Sequence, residues 1–322
     1  MALETEAVLD RRALRRRVGA WRSAFLLLAL AALGGLAYTY GGVDARSSRQ
    51  IARVTIEGLI TEDRQQLRML QRLADAKNVE AVILSINSGG GTTTGGEALF
   101  EAIRAVAQKK PVVAQFGTVA ASAAYICGLA ADHIVARGNS ITGSVGVIFQ
   151  WPEVSGLLDK VGVKMNEIKS GPLKAVPSIF EPISPEGRKV AELMVAESQT
   201  WFLGLVKSRR AVDTAAVPGL EQGRVFSGRE AIGYKLVDEI GGETEAVKWL
   251  ESKRGITTNL RVVDWRPAAD RSDGGWLRWF GSAMADLWRG STGDEQLLSA
   301  IDTIRSRLSL DGLVSVWQPH EK

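Results

Sequence analysis

Cysteine and histidine are almost absent from this chain of 322 residues. Cys127 is the single cysteine, so no disulfide can form within the chain. The two histidines are His133, which the pattern places at the start of a buried strand, and His320, two residues before the C-terminal Lys322. A serine–histidine catalytic triad therefore has very few residues from which to draw its base.

Net charge is also low over most of the chain. The formal net charge is +4, and six arginines against three acids in residues 1–22 supply +3 of it. Only about +1 remains for the rest of the chain. A nucleic-acid-binding surface on the body of the protein is not expected, because such surfaces are strongly basic.

Charged side chains are missing altogether from residues 23–43. A helix of this length would be about 30 Å long, which matches the hydrocarbon core of a bilayer. The stretch is longer than the apolar region of a signal peptide, which favours a retained anchor over a leader cleaved near residues 43–45. The arginines before the span predict that residues 1–22 stay in the cytoplasm and that the body lies outside it.

Strand and helix patterns alternate after the span. Strand patterns at residues 51–57 and 81–86 are followed by helix patterns at residues 62–74 and 97–107. This alternation predicts an α/β fold with parallel strands joined by helical crossovers. Residues 87–91 are expected as a loop at the end of a strand, where three glycines permit close approach of a ligand. A phosphate-binding loop is the rival interpretation, but no Gly-Lys-Ser/Thr follows these glycines.

Ser122 is expected at a turn from a buried strand into a helix. The apolar run at residues 111–116 predicts the strand, and small residues from 120 to about 131 predict the helix. A serine in this position can attack a carbonyl carbon while a neighbouring backbone N–H holds the oxyanion. The alternative is that Ser122 only caps the helix.

The base for such a serine must be a histidine or a lysine. His133 is near in sequence, although a structural role in its strand is the alternative for it. Lys174 is flanked by apolar residues and has no acid within five positions. A lysine acts as a base only when neutral, a form that burial or positive neighbours favour, and an exposed loop lysine is the alternative here. Cys127 is expected as a core thiol, and as a rival nucleophile it has no histidine clearly aimed at it.

Two motifs resemble those of a known family. Ala120-Ala121-Ser122 followed by Tyr125, and Ser170-Gly171-x-x-Lys174, are similar to the catalytic motifs of signal peptide peptidase A, a family of Ser-Lys peptidases. Ser122 and Lys174 lie 52 positions apart, as in the short members of that family. Further similar segments are residues 87–91, 141–147, 223–228 and 237–242.

The sequence departs from the family pattern in three segments. Gly89 stands where the family usually has proline, Ala123-Ala124 replaces a common Gly-Gly pair, and Lys235 replaces the usual glycine before Leu-Val-Asp. The first change makes its segment less rigid. None of the three removes a catalytic group.

The resemblance implies a crotonase/Clp protease-like α/β fold of repeated βαβ units over residues 51–254, with one N-terminal transmembrane helix. It assigns Ser122 as the nucleophile and Lys174 as the general base. The backbone N–H groups of Gly90 and Ser122 would form the oxyanion hole, and Gly89 and Gly91 would bind substrate. No metal, nucleotide or other cofactor is implied.

The implied activity is that of a membrane-anchored serine endopeptidase that cleaves remnant signal peptides. Its catalytic domain would lie on the periplasmic side of a bacterial inner membrane. The family builds rings, in which Lys174 would serve Ser122 of a neighbouring subunit. The alternatives are a non-catalytic membrane scaffold and an acyl-CoA enzyme of the crotonase fold, and the second is disfavoured outside the cytoplasm.

Residues 255–322 form an extension beyond the resemblance. Residues 276–288 within it are patterned as an amphipathic helix. Such a helix would lie in the membrane interface, or else pack on the body or on another subunit.

Overall fold

A computed structural model describes residues 21–22, 25–31, 48–267 and 314–316. The chain divides into two units, Met1–Gln50 and Ile51–Lys322. In the first unit, residues 21–22 and 25–31 are helical. Most of the predicted arm at residues 1–22, most of the predicted anchor at residues 23–43 and all of the predicted amphipathic helix at residues 276–288 lie outside the described residues. In the part of the chain that is described, no helix has both the length and the apolarity needed to cross a bilayer.

The second unit alternates strands and helices, as the sequence predicts. Its first half contains β1 (Gln50–Ile60), α1 (Arg64–Asp75), β2 (Val79–Thr92), α2 (Thr93–Ala107), β3 (Val112–Ala121), α3 (Ala123–Leu129), β4 (His133–Ala136) and β5 (Ile141–Gly143). The remainder contains α4 (Ser155–Lys160), α5 (Pro185–Arg210), β6 (Val225–Ser227), α6 (Gly228–Gly233), β7 (Glu239–Ile240), α7 (Glu243–Arg254), β8 (Arg261–Trp265) and β9 (Val314–Val316). Short 3-10 turns at Thr214–Ala216 and Leu220–Gln222 precede β6.

Nine described strands form one mixed sheet. Its main path runs β6-β5-β3-β2-β1-β8, while β4 pairs with β3 and β7, and β9 pairs with β2. The pairs β2–β3, β3–β4, β3–β5 and β4–β7 are parallel, whereas β5–β6 and β2–β9 are antiparallel. The sheet is thus mostly parallel in its centre, which is the arrangement that helical crossovers produce.

Apolar side chains from β2 and β3 form the centre of the core. Leu84 and Phe116 are fully buried, and they pack with residues of α1, α2 and α3 in one hydrophobic cluster. Helix α1 shows how local signals place these helices. Asp63 caps it by accepting a hydrogen bond from the Gln65 N–H at 2.7 Å, and Leu70 and Leu73 on one face are buried.

The main difference from the sequence prediction is the segment at residues 87–91. It was expected as a loop, but it continues β2 as far as Thr92. The register of β2 against β3 shifts between Ile86 and Ser88, so Asn87 lies at a bulge. The glycines serve close backbone packing here: a Cβ on Gly91 would lie 1.8 Å from the Ile60 carbonyl oxygen.

Candidate active site at the end of the third strand

Ser122 lies at the junction of β3 and α3, in a backbone conformation that is rare for a residue with a side chain. Its φ is 59° and its ψ is −123°. Its N–H donates a 2.9 Å hydrogen bond to the Gly143 carbonyl, and its own carbonyl accepts the first helical bond from the Ile126 N–H. Positive-φ conformations cost free energy and are kept where the surrounding structure imposes them. The turn is therefore a sharp strand-to-helix turn that presents a serine, like those of nucleophilic serines in other hydrolase folds.

The serine does not act as a conventional helix cap. Within α3 as described, no N–H group donates a capping hydrogen bond to the Ser122 hydroxyl. This removes the main structural explanation that the sequence offered for the residue. Ser122 is also fully buried, so a substrate carbonyl reaches it only after part of the surrounding chain moves.

Cys127, the rival nucleophile, lies one turn further along α3 and is fully buried in the core. Burial raises the pKa of its thiol to about 12. Because the thiolate is the reactive form of cysteine, a thiol in this environment is inert near neutral pH. The structure therefore supports the interpretation of Cys127 as a core residue.

His133 lies at the opposite end of the sheet from Ser122. It pairs with Val113 at the start of β3, whereas Ser122 follows the last residue of that strand. Ser122 is nine residues further along the chain than Val113, which corresponds to about 30 Å of extended strand. The ring stacks on Trp249 at 4.6 Å, and Nε2 lies 3.1 Å from a Glu239 carboxylate oxygen. His133 is therefore a structural residue, and His320 lies outside the described residues.

The two N–H groups expected in the oxyanion hole already donate hydrogen bonds within the chain. The Gly90 N–H donates to the Ser88 hydroxyl oxygen at 3.1 Å, and the Ser122 N–H donates to the Gly143 carbonyl. The neighbouring Gly89 is half-buried and Gly91 is buried. To form an oxyanion hole, these two N–H groups would have to give up their present acceptors and donate to the substrate oxygen instead.

Sequence reasoning assigned no role to two side chains beside these glycines. Asn87 Oδ1 accepts hydrogen bonds from the N–H groups of Thr118 and Val119, at 3.1 and 3.2 Å. The Ser88 hydroxyl donates to the Gly58 carbonyl at 2.6 Å while it accepts from Gly90. Together they connect the glycine segment to β3 and to β1. The signal in the sequence was the placement of an amide and a hydroxyl directly before three glycines.

Lys174 lies in the irregular segment between α4 and α5. Its N–H donates to the Gly171 carbonyl at 3.1 Å, and its side chain is exposed. No described residue accepts a hydrogen bond or forms an ion pair with its ammonium group, and none of the described contacts joins it to Ser122. In this structure the side chain of Lys174 is thus exposed to solvent, whereas Ser122 is buried.

Lys169, five residues earlier in the same segment, is held quite differently. Its ammonium contacts the carboxylates of Glu181 and Glu167, the second at 3.0 Å. These two carboxylates raise the pKa of Lys169, which keeps it charged. Of these two lysines, Lys169 is paired with carboxylates, whereas no described carboxylate pairs with Lys174. Lys174 is therefore the better candidate for a base.

Comparison with known proteins agrees with this architecture. The model of peptidase family S49 matches residues 104–257, and the model of Clp protease matches residues 50–139. A Synechocystis sp. protein named as a protease is 30% identical over 232 residues, which cover 70% of this chain and 84% of that protein. An Enterococcus faecium protein named as a signal peptide peptidase is 29% identical over 277 residues, covering 81% of this chain and 79% of that protein.

A longer relative also matches. Protease 4 of Haemophilus influenzae is 32% identical over 226 residues, which cover 67% of this chain but 36% of that protein. The S49 match includes β3, the Ser122 turn and the segment that carries Lys174, and the Clp protease match includes β1 to β4. The chain belongs to peptidase family S49, a family of serine peptidases, and it has the α/β fold of Clp proteases and crotonases.

Proposed function

We propose that this protein is a membrane-anchored serine endopeptidase in which Ser122 attacks the peptide carbonyl and Lys174 accepts its proton. The observation that carries the proposal is the Ser122 turn: a positive-φ serine between β3 and α3, without a capping bond, in a chain of the S49 family. Attack and collapse of the tetrahedral intermediate form an acyl-enzyme, and Lys174 passes the proton to the departing amine and becomes neutral again. The neutral lysine then deprotonates a water molecule that attacks the acyl group, and it returns this proton to the Ser122 oxygen as the acid product leaves.

The substrates in this proposal are remnant signal peptides, cleaved in their apolar cores. The Enterococcus faecium relative is named for this activity, and the Haemophilus and Synechocystis relatives are named as proteases. A direct comparison uses two synthetic peptides of equal length, one from the apolar core of a signal peptide and one polar. We expect the apolar peptide to be cleaved at least about tenfold faster, because apolar side chains gain free energy when they leave water to enter the site. Equal rates would contradict the substrate assignment.

In this proposal the base is supplied by a neighbouring subunit, since the side chain of Lys174 is exposed in the described chain. The part of the chain that carries Lys174 exposes many apolar side chains. Fifteen large apolar side chains of residues 48–267 are exposed, and twelve of them lie between residues 148 and 194. Leu157 and Leu193 are each 61% exposed, and Leu173 is adjacent to Lys174. Exposed apolar surface of this extent is typical of a protein interface.

We therefore place this surface at the contact between neighbouring subunits of a ring, where burial would favour the neutral form of Lys174. Mixed assemblies test this arrangement. Ser122→Ala chains still present Lys174, and Lys174→Ala chains still present Ser122. When the two are coexpressed in equal amounts under different affinity tags, about one quarter of the junctions pair two intact residues. We expect roughly that fraction of parent activity, whereas each variant alone is inactive.

Two results would contradict the shared site. Verified mixed assemblies that remain as inactive as either variant would mean that the dyad forms within one chain or is not used. A monomeric chain with full activity would remove the need for an interface.

The anchor at residues 23–43 places the catalytic unit on the periplasmic side of a bacterial inner membrane in this proposal. It rests on the charge-free stretch and on the arginines that precede it. A reporter enzyme fused after residue 50 should be active only when it lies outside the cytoplasm. Reporter activity in the cytoplasm, with the chain inserted in the membrane, would reverse the topology.

A further inference from the structure

The backbone conformation of Ser122 has to be imposed by the contacts around it. A serine with a φ of 59° is disfavoured and persists only where the surrounding structure over-determines it. The segment to which it is bonded is unusual as well, since Gly143 and Ser144 also have positive φ values, of 83° and 51°. The Ser122 N–H donates to the Gly143 carbonyl, so the two turns are held together. Side chains that fix either turn therefore bear on the position of the serine.

Helix α5 reaches the second of these turns through Gln199. The side-chain amide nitrogen of Gln199 donates hydrogen bonds to the Val145 carbonyl at 3.2 Å and to the Glu221 carbonyl at 3.3 Å. Val145 is two residues beyond Gly143, which is at most about 7 Å of chain. Gln199 thus holds the segment whose Gly143 carbonyl accepts the hydrogen bond from the Ser122 N–H.

The other polar atom of the Gln199 amide indicates that the residue is not optimised for stability. Its Oε1 is buried, and no described residue donates a hydrogen bond to it. A buried acceptor without a donor costs free energy, and an apolar side chain of similar length would avoid that cost. The two bonds that Gln199 donates are what such an apolar side chain could not supply.

Arg209, near the end of α5, holds the far end of the helix that follows the candidate nucleophile. Its Nε donates to the Leu129 carbonyl at 2.8 Å and its Nη2 donates to the Ala131 carbonyl at 2.9 Å, both at the C-terminal end of α3. Among the described residues, no carboxylate forms an ion pair with Arg209. Burial lowers the pKa of its guanidinium, so the charged form is kept in this place at a cost in free energy.

One face of α5 carries both of these side chains. Gln199, Phe202, Val206 and Arg209 follow one another at intervals of three, four and three residues, which places them on one side of a helix. Phe202 and Val206 are fully buried in the hydrophobic cluster that also contains residues of α3. The two apolar residues pack α5 into the same core as the nucleophile helix, and a hydrogen-bonding residue lies at each end of this apolar pair.

We propose that Gln199 and Arg209 are positioning residues that hold Ser122 in its reactive orientation. Gln199 acts through the segment from Gly143 to Val145, and Arg209 acts through the C-terminal end of α3. This inference rests on the proposed function and adds to it what keeps the nucleophile in place. Loss of either set of bonds lets the turn relax, so the serine oxygen is aimed less well at a bound carbonyl. Peptide binding is unchanged, and kcat should therefore fall while KM stays constant.

The experiment compares the full-length parent with Gln199→Met and Arg209→Met, in which an unbranched apolar side chain replaces the hydrogen-bond donor. We expect each variant to lose at least about tenfold in kcat and in the rate at which a fluorophosphonate labels Ser122, with KM within about twofold of the parent value. Arg209→Lys should label within about threefold of the parent rate, because its ammonium can still donate to backbone carbonyls.

Lys110→Met is the matched control. The Lys110 ammonium donates to the carbonyls of Ala76 and Val79, at 2.5 and 2.7 Å, just before β3 begins and so at the opposite end of that strand from Ser122. This variant should lower the thermal unfolding midpoint as the two α5 variants do, yet keep the kcat and the labelling rate of the parent. If Gln199 and Arg209 only stabilised the fold, their variants would behave like this control, and the inference would be overturned.

Amide hydrogen exchange gives a readout that does not depend on turnover. The amides of Ser122 and Ile126, which donate to the carbonyls of Gly143 and Ser122, should exchange faster in the two α5 variants than in the parent or in Lys110→Met. Unchanged exchange at these amides would overturn the inference, as would faster exchange without slower labelling. If the parent itself neither hydrolyses peptide nor takes the label, the proposed function fails, and the exchange comparison alone decides whether α5 holds the turn.

Discussion

Replacement of Ser122 by alanine should reduce peptide hydrolysis by at least about a thousandfold, as loss of a nucleophile does in other serine hydrolases. The change removes one hydroxyl group and leaves the Ser122 N–H bond to Gly143 in place. Alanine also tolerates the positive φ no worse than serine does, so the fold should persist. Turnover of an apolar signal-peptide fragment, measured together with the thermal unfolding midpoint, separates loss of chemistry from loss of structure.

Cys127→Ala is the matched control for this experiment. It changes the other nucleophile-type side chain of α3, which is buried and whose raised pKa makes it unreactive. We expect a modest loss of stability from the small cavity and less than about a threefold change in turnover. If Cys127→Ala abolished turnover in folded protein while Ser122→Ala did not, the nucleophile would be wrongly assigned.

Replacement of Lys174 by arginine should abolish turnover as completely as Ser122→Ala. A guanidinium keeps its proton throughout the accessible pH range, so it cannot act as a base, although it retains the positive charge. The side chain of Lys174 is exposed, and arginine therefore fits without disturbing the single chain. Turnover and assembly state should both be measured, since the surface around Lys174 is proposed to be an interface.

Lys169→Arg is the control within the same segment. Lys169 is paired with Glu181 and Glu167, and arginine preserves both interactions. We expect it to retain nearly full activity. A Lys174→Arg variant with turnover close to that of the parent would remove Lys174 from the mechanism, whatever the control shows.

The sequence predicted the α/β alternation and the position of the Ser122 turn well. A continuous apolar run, such as residues 81–86, indicates a buried strand. An amphipathic pattern with a helical period, such as residues 62–74, indicates a helix. The helix predicted at residues 97–107 lies within α2 at Thr93–Ala107. Ser122 could be placed because a strand pattern and a small-residue helix pattern meet at it.

The glycine segment could not be predicted correctly. Three consecutive glycines have little intrinsic preference for a strand, so residues 87–91 indicated a loop. The extended conformation depends on non-local partners: the Asn87 bonds to Thr118 and Val119, and the close contact of Gly91 with Ile60. Spacing along the chain does not reveal such contacts.

The C-terminal strand was beyond sequence reasoning for a similar reason. Val314–Val316 is only three residues long, and its partner in β2 is more than 200 residues away. Short apolar runs do not distinguish a strand from other structures. The distance between Ser122 and His133 likewise depends on the register of the sheet. His133 is close to Ser122 in sequence, but the register places it at the other end of β3, which excludes it as the base.

The central claim is that Ser122 is an activated nucleophile, and labelling with a fluorophosphonate tests it most directly. The serine oxygen displaces fluoride from phosphorus, and mass spectrometry then locates the label. We expect the assembled full-length protein to carry the label at Ser122, the Ser122→Ala variant to carry none, and Lys174→Arg to react at least about a hundredfold more slowly because its base is lost. Folded, assembled protein that leaves Ser122 unlabelled, or that takes the label at another residue, would contradict the account and would favour a non-catalytic role for this S49 chain.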